Sequence, residues 1–147
     1  MENPKTEARL KIAGPLLDGK FNVYDGSDHT HPVLSIKNVD DNELRKNVEM
    51  LIENKVDFLK AYEMLSPSQF MLLTELAKKN NLKLTGHVPL SINVEIASSS
   101  GLNSIEHFRN IELSMTKMTN DLLKERKVIL KNKSALRGAS LRYVSYT

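Results

Sequence analysis

The sequence predicts an α/β fold in which parallel strands alternate with helices. Short apolar segments at residues 56–62, 82–87 and 102–107 are separated by stretches in which apolar residues recur at helical spacing. The intervening helices are each long enough to cross over a sheet and return to a parallel strand. The chain has 147 residues, of which 40% are apolar and 27% charged, as expected of one globular domain.

The first strand is expected in the apolar-rich segment 8–13, which leads into Gly14-Pro15. Glycine and proline break regular structure, so the strand is expected to end there. From this point to about Asn38 the residues are polar and rich in Gly, Asp and His, without sustained periodicity. This stretch is therefore predicted to be a long loop.

The first helix is expected to begin at Asp40 or Asp41, because Asp40 followed by Glu43 has the form of a capping box. Apolar residues then recur on one helical face: Leu44, Val48, Leu51 and Ile52. Asn54 marks its end, and the apolar segment 56–62 is the next predicted strand.

The second helix has the clearest start signal. Ser66 is followed by Pro67 at the first helical position and by Gln69 at the third, which is the pattern of a capped helix. Phe70, Leu73, Leu76 and Ala77 then lie on one side. Asn80 ends the helix, and the strand at residues 82–87 follows.

A third, shorter helix is predicted to run from Ser91 to Gly101. Its inward-facing residues are expected to be Ile92, Ile96 and Ala97. Gly101 can adopt the left-handed conformation that commonly ends a helix. The strand at residues 102–107 comes next.

Three side chains occupy equivalent places on successive strands. Lys60, His87 and His107 each lie at or near a carboxyl end, with spacings of 27 and 20 residues. Because carboxyl ends of parallel strands open onto one face, where active sites are built, these side chains are expected to converge. Imidazole is a good zinc ligand, whereas lysine ligates only when neutral or converted to a carbamate. A structural histidine and an outward-pointing lysine remain the alternatives at each position.

The motifs containing these residues resemble the amidohydrolase superfamily. They are Asp-Phe-Leu-Lys-Ala-Tyr at residues 57–62, Thr-Gly-His-Val-Pro at 85–89 and Gly-Leu-Asn-Ser-Ile-Glu-His at 101–107. Their order is similar to that of the imidazolonepropionase-like and prolidase-like branch, over about residues 8–113. The resemblance implies part of a (β/α)8 TIM barrel, about units three to six.

The resemblance also implies a metal-dependent hydrolase with one or two divalent cations, usually zinc. Lys60 matches the fourth-strand lysine that bridges two metals once carboxylated, and His87 and His107 match the fifth-strand and sixth-strand ligands. Tyr62 matches a tyrosine that contacts substrate. The implied reaction is attack of metal-activated water on the C–N bond of a small amide, cyclic amide or Xaa-Pro dipeptide.

The sequence departs from the family in two ligand positions. The first-strand His-x-His pair and the eighth-strand Asp are not matched, so no catalytic residue is assigned. His29-Thr-His31 has the form of the pair, but it lies in a turn-rich context after the third unit and is interpreted as a loop coincidence. This 147-residue fragment is therefore expected to bind metal weakly and to be inactive. The alternative is a non-catalytic, truncated or degenerate barrel that needs a partner or the missing chain and self-associates through open edges.

Charge divides the chain into an expected domain at residues 1–116 and a basic tail at 117–147. The tail has eight Lys/Arg and two Asp/Glu, a local charge of +6, and the rest carries −3. The tail contains neither arginine–glycine repeats nor heptads and has only two aromatic residues. A nucleic-acid partner is therefore the weaker alternative. Residues 127–131 are a possible further strand.

The composition excludes several other classes. The chain has no cysteine, which excludes disulfides and thiolate metal sites. No apolar run has the length of a membrane span, and the first residues lack the apolar core of a secretory signal. No membrane partner is expected, and the expected location is cytoplasmic. No glycine-rich phosphate loop follows any predicted strand, which disfavours a flavodoxin-like nucleotide binder.

Overall fold

The computed structural model describes residues 10–27 and 31–131, and it has a five-stranded, wholly parallel sheet. The strands are β1 (Leu16–Asp18), β2 (Ser35–Lys37), β3 (Phe58–Ala61), β4 (Lys83–Gly86) and β5 (Ser104–Ile105). The helices are α1 (Asp41–Glu53), α2 (Pro67–Lys79), α3 (Val94–Ser100) and α4 (Thr119–Ile129), with a 3-10 helix at Glu112–Met115. The strand order is β2-β1-β3-β4-β5. The predicted α/β class is confirmed.

Helices α1, α2 and α3 and one face of the sheet enclose the main core. Leu17, Leu59 and Leu84 point from β1, β3 and β4 into this core, together with Phe70 and Leu73 of α2. Buried and half-buried residues alternate along β3, so that Lys60 lies on the face opposite the core. The sheet therefore has one face packed against helices and one face available to form a site.

The prediction of a strand at residues 8–13 is wrong for the described part of that segment. Residues 10–14 are not in a strand, and β1 begins only after Gly14-Pro15. Gly14 has φ +70°, which interrupts an extended chain, and Pro15 has no N–H to donate to a ladder. Residues 8 and 9 lie outside the described residues.

The predicted long loop contains both β1 and β2. Leu16 donates its N–H to the Leu34 carbonyl, and Leu17 then pairs in register with Ile36. Three-residue strands are too short to produce a periodic sequence signal, because their stability comes from pairing with neighbours rather than from their own composition.

The predicted starts of the first two helices are confirmed. Asp40 accepts a hydrogen bond from the Glu43 N–H at 2.9 Å and caps α1. Ser66 accepts from the Gln69 N–H at 3.1 Å, while the Gln69 side chain accepts from the Ser66 N–H, which completes a capping box at α2. Both signals are local in sequence, so they can be recognised without knowledge of the fold.

The third helix starts later than predicted. The Asn93 side chain caps the helix by accepting a hydrogen bond from the Ile96 N–H. The Ser91 hydroxyl instead donates to the Leu65 carbonyl at 2.8 Å. Ile96 is 41% exposed, so its predicted inward orientation is wrong, whereas Ile92 and Ala97 are buried as expected. Ile92 lies before the helix, and within the helix Ala97 rather than Ile96 faces the core. Gly101 ends the helix at φ +125°, as predicted.

The strand predicted at residues 127–131 is wrong, because α4 extends to Ile129 and a turn follows. Leu122 and Leu123 pack with Leu113 of the 3-10 helix, and Arg126 donates to Glu112 at 2.9 Å. These contacts stabilise a helix where the local sequence alternates apolar and basic residues. The boundary proposed between residues 116 and 117 stays a prediction, and the rest of the tail lies outside the described residues.

Within residues 10–27 and 31–131, none of the helices combines the length and the apolar content that crossing a membrane requires.

Candidate metal site

The three side chains singled out from the sequence lie at one edge of the sheet. Lys60 is in β3, His87 directly follows β4, and His107 is two residues beyond β5. The register pairs Lys60 with Thr85 and Thr85 with Ser104, so the three strand ends are level. The rings of His87 and His107 are 5.7 Å apart, edge to face. The predicted convergence is therefore observed, and the ligand role of each residue stays a prediction.

These residues line an open cleft of about 730 Å³. One wall carries the polar groups Lys60, Tyr62, His87, Glu106, His107 and Arg109. Tyr24, Val33 and Leu34, from the segment before β2, form part of the lining as well. A volume of this size is typical of small-molecule sites.

Glu106 joins the two histidines in a compact group of donor atoms. One nitrogen each of His87 and His107 and one Glu106 carboxylate oxygen lie within 4.8 Å of one another. Two imidazoles and a carboxylate are a donor set that zinc prefers. Zinc bonds of about 2.0–2.1 Å place tetrahedral ligands about 3.3 Å apart, so the side chains fit a cation after a small closure. Sequence reasoning missed Glu106, although it directly precedes His107 in the matched motif.

Lys60 forms an ion pair with Glu106, with its Nζ 2.6 Å from Oε2. An ammonium group has no lone pair, so in this state Lys60 holds the carboxylate rather than ligating a metal. A carboxylated Lys60 would instead place a second anion beside Glu106, and a bound cation or a shared proton would relieve the repulsion between them. The net charge of the cleft therefore depends on whether Lys60 is an ammonium group or is carboxylated.

His87 is buried and held from behind by Glu63. Its Nδ1 lies 3.0 Å from Glu63 Oε1, and its ring centroid lies 4.6 Å from that of Tyr62. Arg109 contacts the same carboxylate oxygen. No described side chain bonds to Nε2, so this nitrogen is left for the cleft. Glu63 and Arg109 were not singled out from the sequence, because nothing local links them to His87.

Glu63 is a buried carboxylate, with 2% of its side chain exposed. Burial acts to raise its pKa, but the hydrogen bond with His87 and the charge of Arg109 outweigh that effect and hold the pKa below its usual value. Glu63 is therefore ionised near neutral pH.

Tyr62, predicted to contact substrate, lies between two other rings. Its ring centroid is 5.7 Å from that of Tyr24 and 4.6 Å from that of His87. Burial, together with the hydrogen bond to Tyr24 and the charge of Glu63, raises its pKa well above the usual value. Tyr62 is therefore a neutral phenol, able to donate a hydrogen bond but not to act as a base near neutral pH.

The His29-Thr-His31 motif is only partly described, because residues 29 and 30 lie outside the described residues. The His31 ring is 5.2 Å from that of Tyr24. Within the described ranges, the metal-type donor group consists of His87, Glu106 and His107 and does not include His31.

Asp18, at the end of β1, is buried and holds the backbone that follows β1 and β3. One carboxylate oxygen accepts from the Gly19 and Met64 N–H groups, and the other accepts from Val23. Burial is the largest effect and raises the pKa of Asp18 from 3.8 to about 7, against these hydrogen bonds and with a smaller contribution from the charge of Glu63.

This shift predicts a pH-dependent stability. Between about pH 4 and pH 7 the unfolded chain loses the Asp18 proton while the folded chain keeps it, so the unfolding free energy falls as pH rises. The contribution is fully present below pH 4 and lost as pH passes about 7. Urea unfolding at about pH 5 and about pH 8 measures this effect. Between these two pH values the unfolding free energy should fall more in the wild-type chain than in Asp18→Asn. An equal fall of the unfolding free energy in the two chains would contradict the raised pKa of Asp18.

A solved structure of a protein described as bottromycin amidohydrolase is similar to this fold. The TM-score is 0.51 at 19% sequence identity, and the match covers 78% of this chain and 25% of that one. The chain thus spans about a quarter of that protein's length. At this identity the likeness concerns the fold alone. We found no protein-family model and no curated protein that matches the sequence.

Proposed function

We propose that this chain contributes part of a metal-dependent amidohydrolase site and binds a divalent cation, zinc being the best fit. The observation that carries the proposal is the group formed by His87, Glu106 and His107, whose donor atoms lie within 4.8 Å in a cleft at the strand ends. The likeness in fold to a protein described as an amidohydrolase supports it. A (β/α)8 barrel as the complete architecture is part of this proposal.

The two imidazoles would hold the cation together with Glu106 or a carboxylated Lys60. When bound, a divalent cation polarises a carbonyl group and makes water acidic enough to act as a nucleophile near neutral pH. With Lys60 as an ammonium, Glu106 is divided between Lys60 and the cation. With Lys60 carboxylated, the added negative charge favours a second cation. The number of cations therefore depends on the state of Lys60.

The remaining cleft residues suit a small amide, cyclic amide or Xaa-Pro dipeptide. Tyr62 has a neutral hydroxyl that, once turned away from its hydrogen bond with Tyr24, can donate to a substrate carbonyl oxygen. Arg109 and Lys60 give the cleft positive charge beside the apolar Val33 and Leu34. A substrate with one apolar residue and one anionic or carbonyl group fits these surroundings.

Among the described residues at the cleft, no carboxylate is free to accept a proton from water. Glu63 is occupied by His87 and Arg109, and Glu106 by Lys60. We therefore propose that the site formed by the described residues binds a cation without measurable turnover. The second candidate, a non-catalytic partial barrel, is favoured by the open edges of the described sheet, where β2 and β5 have three and two residues.

Zinc titration of the purified chain tests the proposal. Competition with a low-affinity chromophoric chelator is expected to give a stoichiometry of one weakly bound zinc per chain. Hydrolysis of dipeptides and cyclic amides should stay at the rate of an EDTA-treated sample. Failure to compete for zinc would reject the metal site and leave the non-catalytic barrel. Chelator-sensitive hydrolysis would instead refute the proposed inactivity. Sedimentation of the same sample should show self-association if the open edges pair.

A further inference from the structure

We infer that Glu63 is a positioning residue that fixes the tautomer of His87, so that the lone pair on Nε2 faces the cleft. The inference deepens the proposed function and rests on it for its consequence, although the tautomer itself is a property of the chain without metal. A neutral imidazole has one protonated and one unprotonated nitrogen, and only the unprotonated nitrogen can bind a cation.

The contacts of Glu63 determine which partner donates in its hydrogen bond with His87. Arg109 Nε and one of its terminal nitrogens each lie 3.2 Å from Glu63 Oε1, the oxygen that also faces His87 Nδ1 at 3.0 Å. A guanidinium group only donates, so the oxygen beside it is held as an acceptor. The proton between Glu63 and His87 therefore lies on Nδ1, and in the neutral imidazole this leaves Nε2 unprotonated.

The three residues come from three consecutive strand ends, which makes the arrangement rigid. Glu63 follows β3, His87 follows β4 and Arg109 follows β5. The backbone supports it, since the His87 N–H donates to the Ala61 carbonyl at 3.1 Å and the Leu90 N–H donates to the Glu63 carbonyl at 2.9 Å. Glu63 thus holds both the ring position and its protonation pattern before any cation arrives.

Removing the charge of Glu63 while keeping its shape should release this constraint. In Glu63→Gln the neutral amide lacks the charge that holds Arg109, whose side chain is 27% exposed, at the shared oxygen. Arg109 can then turn to solvent and the amide can present its NH2 to His87, which favours a proton on Nε2 instead. Loss of a group that orients a metal-binding histidine typically lowers metal affinity 10–100-fold. We expect zinc affinity to fall by about this factor, with His87 still present.

Nitrogen-15 NMR of the imidazoles in the metal-free chain, near pH 8, tests the inference. The wild-type chain is expected to show His87 protonated at Nδ1 alone, and Glu63→Gln should show a mixture or the reverse. Glu75→Gln, an exposed residue of α2, is the matched control and should leave the pattern unchanged. The wild-type spectrum suffices if Glu63→Gln does not fold. His87 protonated at Nε2 in the wild-type chain would overturn the inference.

The outcomes separate the two proposals. The expected tautomer without zinc binding would reject the proposed metal site and leave the role of Glu63 in setting the tautomer. Zinc binding by a chain whose His87 is protonated at Nε2, or an affinity unchanged in Glu63→Gln, would reject the positioning role and leave the metal site.

Discussion

Replacing His87 or His107 with alanine is expected to lower the affinity of the chain for zinc at least about 100-fold, more than the loss of an orienting residue would. Each substitution removes one of the three donors that lie within 4.8 Å. The side chain of His107 is 74% exposed, so its loss should leave folding intact. The variants are compared by chelator competition, with circular dichroism as a check on structure.

His31→Ala is the matched control for these variants. His31 lies against Tyr24 and outside the donor group, so its removal should change zinc affinity less than about threefold, or about 0.7 kcal/mol. An equal loss of zinc affinity in all three variants would indicate that zinc binds to separate surface histidines rather than to one site. Unchanged affinity in His107→Ala would remove His107 from the ligand set.

Gly86→Ala is expected to destabilise the fold by about 4 kcal/mol, a large part of the stability of an ordinary domain. A β-carbon at Gly86 would lie 2.1 Å from the Ala61 carbonyl oxygen, and the residue has φ +126°. The Ala61 carbonyl cannot move freely, because it accepts the hydrogen bond from the His87 N–H. The substitution should therefore separate β3 from β4 where His87 leaves the sheet.

Gly101→Ala is the control that distinguishes the steric clash at Gly86 from the cost of an alanine at positive φ. Gly101 has nearly the same φ, +125°, but its β-carbon would meet the flexible Lys78 side chain at 2.9 Å. This variant should lose only about 1–3 kcal/mol, the usual cost of a strained backbone. The two are compared by urea unfolding of the metal-free chain. An equal loss of unfolding free energy in the two variants would show that the close approach of Gly86 to β3 adds nothing to the destabilisation.

The elements that could be predicted are those with local signals. The cap at Ser66 and the stop at Gly101 depend on residues a few positions apart. The grouping of Lys60, His87 and His107 could be predicted because parallel topology places successive strand ends at one edge. Neither prediction required knowledge of any long-range contact.

The parts that were missed depend on contacts between distant residues. Glu63 and His87 are 24 positions apart, and Glu63 and Arg109 are 46 apart. Nothing near Glu63 in the sequence distinguishes it from an exposed carboxylate. β1 and β2 were missed for the same reason, since three residues paired at long range leave no periodic pattern. The sequence thus predicted Lys60, His87 and His107 in the cleft. It predicted neither Glu106 and Arg109 beside them nor Glu63 behind His87.

We propose that His87 and His107 share one cation at the carboxyl ends of β4 and β5. Anomalous scattering at the zinc absorption edge, from crystals of the chain grown with zinc, is the decisive measurement. One anomalous peak is expected within bonding distance of His87 Nε2 and a His107 ring nitrogen. An ordered cleft without that peak, while zinc is found elsewhere on the chain, would contradict it.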